Sequence, residues 1–311
     1  MEYYFKTYGE LAVHRQMVSD RWRTGAFARA ITEVVKKGDV VLDVGTGTGI
    51  LAMLAARAGA KRVYAVDQSD IAKSASSLVK ANGLEEVVRV LQGPAGEIQI
   101  EEPVDVLVSE WLGNFAFVEA MLDDVLIARD AHLAKGGRML PSRVEAMLAP
   151  IDDPVLFVHD GPGFWRDPVQ GLDFSQLEAK ELAQGRAVQL QVAPAALLSA
   201  GRALASLDLA TARVDSQWQS GRLEFPVRRD GVLNGFVGWF EAQLSPSELL
   251  DTGPSKPETH WSQTYLPFPP QRVGQGASLP VDYKIERDPV VRRYMKITLA
   301  VGSVSQTYVV G

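Results

Sequence analysis

The sequence predicts an α/β protein: a doubly wound parallel sheet followed by an antiparallel β-barrel from which a helical arm departs. Three observations carry that expectation. From Val40 to about Pro141, short apolar runs alternate with helical patterns, which is how a parallel sheet with crossover helices is written. Beyond Pro141 come short alternating segments such as Arg222–Val227 and Tyr294–Leu299, the pattern of an antiparallel sandwich or barrel. Between Gly161 and Gly185 lies a stretch rich in Gly, Asp and Pro that turns helical from Phe174 to Leu182. We therefore divide the 311 residues into 1–141 and 142–311, with an arm at about 161–185; that length suits two domains.

Each element has its own reason. Residues 3 to about 37 carry helical patterns, with His14, Met17, Asp20 and Arg23 recurring at intervals of three along one side. Val40–Val44 reads as a buried strand, and Ile50–Ala58 opens a helix after a glycine-rich turn. Arg62–Val66 is the next strand and ends in Asp67. Ile71–Asn82 is helical, Val87–Leu91 and Val104–Val108 are strands, and Met121–His132 is helical. Lys135-Gly136-Gly137 reads as a turn.

Composition excludes several chemistries. There is no cysteine, so disulfides, thiolate catalysis and cysteine-ligated zinc are ruled out, and a cytoplasmic setting is expected. The formal net charge is −6. Nucleic acid is not an expected partner, since phosphate binding normally shows a basic surplus. No apolar run approaches the roughly 18 residues a membrane-spanning helix needs, and no metal site is expected.

The informative local motif is Gly45-Thr46-Gly47-Thr48-Gly49. It follows a strand carrying Asp43 and precedes a helix, and Asp67 closes the neighbouring strand. Glycines in such a turn let a ligand approach the backbone, and an acid at the next strand end can accept hydrogen bonds from ribose hydroxyls. Together they point to a nucleoside cofactor.

Further motifs extend this reading. Tyr4-Phe5-Lys6-Thr7-Tyr8, the His14/Met17/Asp20/Arg23/Thr24 spacing, Val41–Gly49, Ser109-Glu110-Trp111-Leu112-Gly113 with Glu119-Ala120-Met121-Leu122, and Thr259-His260-Trp261 span nearly the whole chain. In these motifs the sequence resembles the protein arginine methyltransferases, most closely the type that places two methyl groups on one nitrogen. The resemblance implies a Rossmann-like methyltransferase domain, the methyl donor S-adenosylmethionine with S-adenosylhomocysteine as product, an arginine-containing protein or peptide substrate, and a homodimer built by the arm. It also implies residue roles. His14, Met17, Arg23, Asp43, Gly45, Gly47, Asp67, Gly96 and Glu110 would form the cofactor site, with Arg23 on the cofactor carboxylate and Asp67 on the ribose. Glu110 and Glu119 would grip the substrate guanidinium, beside Trp261 and Met121. His260 and Asp20 would form a catalytic pair with them.

The chain departs from the family pattern at Asp67, where glutamate is usual, at Gly96, where glutamate is frequent, and at Asn114 and Val118, where tyrosine is typical. The chemistry explains why two acids are wanted. Guanidinium stays charged at neutral pH, and the donor sulfonium is positive too. Two cations at about 4 Å repel by roughly 4 kcal/mol at an effective dielectric near 20, which fixed carboxylates can offset. Two other readings stay open at this point: an enzyme acting on free arginine or another small guanidine, and a catalytically silent binding module.

Overall fold

The computed structural model describes residues 11–119 and 121–311. The Tyr4–Tyr8 motif, the first part of the expected N-terminal helix and Ala120 lie outside the described residues. The N-terminal helical pattern resolves into α1 (Leu11–Ser19) and α2 (Arg21–Val34) rather than one run. The break is at Asp20, whose extended backbone (φ −68°, ψ 95°) lets its carboxylate accept the Arg23 N–H and cap α2.

The parallel layer follows as β1 (Val40–Val44), α3 (Ile50–Arg57), β2 (Arg62–Asp67), α4 (Ile71–Ala81), β3 (Val88–Gln92), β4 (Val104–Val108), α5 (Leu122–His132) and β5 (Leu133–Leu140). The five strands run in the order β3-β2-β1-β4-β5, all pairs parallel. β1 is apolar on both faces apart from Asp43, because helices cover both sides. On α4, Ile71, Ala72, Ala75 and Val79 are buried, the single stripe a helix needs to lie on a sheet. The order reverses direction between β1 and β4, so their carboxyl ends open the crevice where α/β proteins bind ligands.

One expectation fails in this layer. Lys135-Gly136-Gly137 is not a turn between elements but lies inside β5. Pairing passes irregularly from Val104/Leu133 to Val106/Arg138, so β5 bulges there, and Gly136 takes a left-handed φ of +82°. The local Gly-Gly signal was correct about the bend; the continuing ladder with β4 decides the element.

The antiparallel part starts with β6 (Arg143–Ile151) and continues as α6 (Pro154–His159), a 3-10 turn (Pro162–Arg166), α7 (Gln176–Gln184), β7 (Val188–Leu190), β8 (Arg202–Asp208), β9 (Ser220–Pro226), β10 (Gly231–Gln243), β11 (Leu249–Asp251), β12 (Gln263–Val273), β13 (Ser278–Arg287), β14 (Met295–Val301) and β15 (Val304–Val310). Its ladders form two sheets, β7-β12-β10-β6-β8 with β11 added on β10, and β15-β14-β13-β9. The sheets approach each other at β8/β9 and at β12/β15. Phe225, Phe236, Phe268, Val281, Ile297 and Leu299 are buried in the shared core. The opposite face of the larger sheet buries Ala149, Ile151, Val237, Trp239 and Tyr265 in a second cluster, the alternation that a strand's period of two imposes.

The Gly161–Gly185 excursion leaves between β6 and β7. Helix α7 starts two residues later than expected, at Gln176, and buries no residue fully; Phe164, Val169 and Leu172 are exposed. The arm is seated at its base by Gly185, whose left-handed φ of +60° ends α7 while its backbone crowds the Thr307 carbonyl on β15. A Cβ there would overlap that carbonyl, and an L-residue would also resist the backbone angle. Gly185→Ala should therefore lower unfolding free energy by about 2–4 kcal/mol in urea titration; an unchanged midpoint would mean that the arm base is loosely seated.

Candidate active site

Two cavities, each about 280 Å³, meet at the carboxyl ends of β1 and β4. The first is lined by His14, Met17, Arg23, the Gly45–Thr48 turn, Asp67, Gly96, Glu97, Glu110 and Met121, among others. The second is lined by Glu110, Trp111, Asn114, Glu119, His260 and Trp261, with Met17 and Met121 again. Glu110, Met17 and Met121 face both and form the partition between them.

The glycine turn shapes the first cavity. Gly45, Gly47 and Gly49 all have left-handed φ (+72°, +55° and +81°). A Cβ on Gly45 would stand 3.1 Å from the Met121 methyl, and one on Gly47 3.1 Å from the His14 ring. Backbone is therefore presented to the cavity at just the places where a side chain would fill it. Asp67 holds the turn by accepting the Gly47 N–H (2.9 Å) on one oxygen and both the Ser69 N–H and hydroxyl on the other.

Asp43 departs from expectation. The sequence reading puts it among the cofactor-binding residues, but it lies beneath the turn, 1% exposed, and does not line the cavity. One of its oxygens accepts from the Thr46 hydroxyl (2.6 Å) and the Ala52 N–H (3.0 Å), tying the turn to α3; the other has no partner. Burial pushes its carboxyl up to about 7, against the hydrogen bonds from Thr46 and Ala52.

The partition rests on a buried ion pair. The Arg23 guanidinium donates from Nε (2.9 Å) and Nη2 to one Glu110 oxygen and from Nη1 to the Met17 carbonyl. Both side chains are 6% exposed. The second Glu110 oxygen accepts the Leu112 N–H at 3.0 Å. Arg23 and Glu110 thus hold one another, a direct pairing that the sequence reading, which puts both in the cofactor site and Glu110 also on the substrate, does not include. Of the five guanidinium N–H bonds two remain uncommitted, and one Glu110 oxygen still has acceptor capacity.

The loop carrying both glutamates is fixed from the antiparallel side. Phe115 is fully buried against Gly238 of β10, where a Cβ would come within 2.5 Å of its ring. Trp261 donates its indole N–H to the Leu112 carbonyl (2.7 Å) and packs edge-on to Phe240. The His260 ring and backbone N–H both meet one oxygen of Asp20, at 2.8 and 2.9 Å. Burial works against ionising Asp20, but the bonds from His260 and the Arg23 N–H outweigh it and hold its carboxyl below the usual range. An ionised Asp20 can only accept, so the His260 Nδ1 is the donor in this contact. His260 lines the second cavity, whereas Asp20 stands behind it.

Gly96 lies on the first cavity's rim, covered by Ile127; a Cβ would sit 2.5 Å from the Ile127 Cγ2. Four residues here escape sequence reasoning. Asp124 and Ile127 come from the exposed side of α5 and face the first cavity. His132 meets the Ala95 carbonyl at 3.0 Å and steadies the rim loop. Arg293, from the β13–β14 connection, lines the first cavity and binds the Glu119 backbone. Only the i, i+3 spacing of Asp124 and Ile127 could have been read from the sequence.

The Asp43 environment has a pH consequence. A carboxyl raised in the folded state binds its proton more tightly than in the unfolded chain, so its contribution is lost as pH rises from about 4 through 7. Asp43→Asn removes that titration. Its stability relative to the parent should rise by about 2–3 kcal/mol between pH 5 and pH 8 in denaturant titrations; parallel pH profiles would contradict the burial argument.

Residues 145–306 match the family model described as the arginine methyltransferase oligomerization subdomain, and residues 24–142 the one described as ribosomal protein L11 methyltransferase. A probable protein arginine N-methyltransferase 6 of Arabidopsis thaliana is 33% identical, the match covering 98% of this chain and 80% of the relative. Protein arginine N-methyltransferase 1 of Schizosaccharomyces pombe is 38% identical over 85% of this chain and 78% of its own. Among solved structures, a chain of the Trypanosoma brucei PRMT1 enzyme–prozyme heterotetrameric complex with AdoHcy superposes with a TM-score of 0.90 at 30% identity, covering 98% of this chain and 100% of that one. With full-length relatives at this identity and its oligomerization subdomain matched, the chain belongs to the protein arginine N-methyltransferase family.

Proposed function

We propose that this protein transfers a methyl group from S-adenosylmethionine to a guanidinium nitrogen of arginine residues in proteins. The observation that carries the reading is the shared partition: one carboxylate, Glu110, borders both a glycine-floored cavity and an acid-lined one. The first cavity fits the donor, because its backbone cradle at Gly45 and Gly47 is one that any Cβ would fill. The related Trypanosoma structure contains AdoHcy.

In this reading the two free Arg23 N–H groups bind the donor carboxylate, His14 and Met17 close over it, and Asp67 takes a ribose hydroxyl with its remaining acceptor capacity. Backbone at Gly96 and Glu97 lies against the adenine. When bound, the donor supplies an electrophilic methyl group on a sulfonium, and the leaving group is a neutral thioether. Glu110 and Glu119 bind the guanidinium, offset the repulsion between the two cations, and orient the attacking nitrogen. The nitrogen forms a bond to the methyl carbon and sheds one proton, which Glu119 or His260 accepts. Asp20 fixes the tautomer of His260, and Trp261 walls the pocket.

Met17 and Met121 flank the partition. Flexible thioethers leave room for a second methyl on the same nitrogen, and we propose asymmetric dimethylarginine as the final product. We take residues 1–141 as the donor-binding domain and 142–311 as the substrate domain, a division supported by two family models that abut at 142 and 145. The working form we propose is a homodimer, formed by the Gly161–Gly185 arm. Exposed Phe164, Val169 and Leu172 on that arm support this, because apolar patches of that kind mark interfaces.

Three experiments check this. Incubation with labelled donor, an arginine-rich peptide and free arginine, followed by mass spectrometry, should give asymmetric dimethylarginine in the peptide. Glu110→Gln and Glu119→Gln should each cut turnover by about 10²–10³-fold; near-native rates in either would remove that acid from the mechanism, and preferential methylation of free arginine would move the substrate assignment. Deleting residues 163–184 should convert a dimer to a monomer in light scattering; a deletion variant that stays dimeric would exclude the arm as the dimer element.

A further inference from the structure

We infer that Arg293 is a positioning residue that holds Glu119 in its working geometry from outside the double-glutamate loop. The inference rests on the reading of Glu119 as a guanidinium-binding acid.

Glu119 has a left-handed backbone, φ +81°. Such a conformation is unfavourable for a residue with a Cβ and persists only where neighbours impose it. Arg293 is one such neighbour. The Glu119 N–H donates to the Arg293 carbonyl at 2.8 Å, and the Arg293 Nη1 donates to the Glu119 carbonyl at 2.7 Å. Both backbone polar groups of the strained residue are thus met reciprocally by Arg293. Turning the Glu119 peptide back to an ordinary conformation would break both bonds together.

Arg293 is itself on a fixed base. It belongs to the connection between β13 and β14, where buried Asp288 accepts the Val290 and Val291 N–H groups at 2.8 and 2.7 Å. The Asp288 N–H donates to the Tyr294 carbonyl, and the Tyr294 N–H to that of Val291, closing the turn. The strand pair that anchors this turn is in the smaller antiparallel sheet, far from Glu119 in sequence. Arg293 also lines the first cavity beside Asp124, so one guanidinium reaches from the donor side of the partition to the substrate acid. A planar fork with several donors can bind a carbonyl and still face a second group, which an ammonium does less well.

The test combines Arg293→Met, which keeps the aliphatic stem, Arg293→Lys, which keeps the charge, and Glu119→Gln, alone and combined with Arg293→Met. Binding of S-adenosylhomocysteine is measured by calorimetry, and kcat and KM with an arginine-rich peptide. Arg293→Met should keep product affinity within about threefold and lose about 10–100-fold in kcat/KM for the peptide, with Arg293→Lys recovering part of it. On the Glu119→Gln background the same change should cost less than about threefold, because the group it positions is already gone. Full multiplication of the two losses, a near-native Arg293→Met, or a loss that tracks weakened S-adenosylhomocysteine binding would overturn the inference. If Arg293→Met fails to fold, Arg293→Lys and its combination with Glu119→Gln carry the same comparison. A near-native Glu119→Gln instead overturns the reading beneath it, so the two failures are distinguishable.

Discussion

The site depends on one buried ion pair. Arg23 and Glu110 come from α2 and the end of β4, and both are nearly removed from water. A buried pair is stable only when its remaining donors and acceptors are met, and removing one partner typically costs about 3–5 kcal/mol. Here the Met17 carbonyl and the Leu112 N–H complete it. The pair fixes α2 against the sheet, and through the Asp20 cap it also fixes the position of His260. Arginine, cavity-lining histidine and the first glutamate therefore move as one unit.

The second glutamate is held differently. The loop from Glu110 to Glu119 starts at the parallel sheet but takes its shape from the antiparallel part: Phe115 fills the space left by Gly238, Trp261 binds Leu112, and Arg293 binds Glu119. The acid-lined cavity does not exist without contacts from β10, the Trp261 loop and the β13–β14 turn.

Much of the architecture was legible in the sequence because it rests on local patterns. Val40–Val44 and Val104–Val108 fall where the apolar runs put them, since both strands are buried on both faces. The glycine turn and Asp67 line the cavity after the strands that motif spacing puts before them, and the His260–Asp20 contact is the pair that the family resemblance implies. What escaped is tertiary. Lys135–Gly137 looks like a turn until β4 pairs across it. Asp43 looks like a ligand residue until the turn folds over it. The mutual engagement of Arg23 and Glu110, the left-handed Glu119 and the reach of Arg293 depend on residues far apart in the chain, and no periodicity records them.

The central claim is electrostatic: the two glutamates let a guanidinium settle beside a second cation. The most direct measurement is the affinity of an arginine-rich peptide for the protein loaded with neutral S-adenosylhomocysteine, compared with the protein loaded with an unreactive analogue carrying an ammonium at the sulfonium position. With the acids offsetting the added charge, the two affinities should agree within about tenfold. Uncompensated repulsion of about 4 kcal/mol would weaken peptide binding by roughly 10³-fold in the cationic complex, and that result would contradict the account.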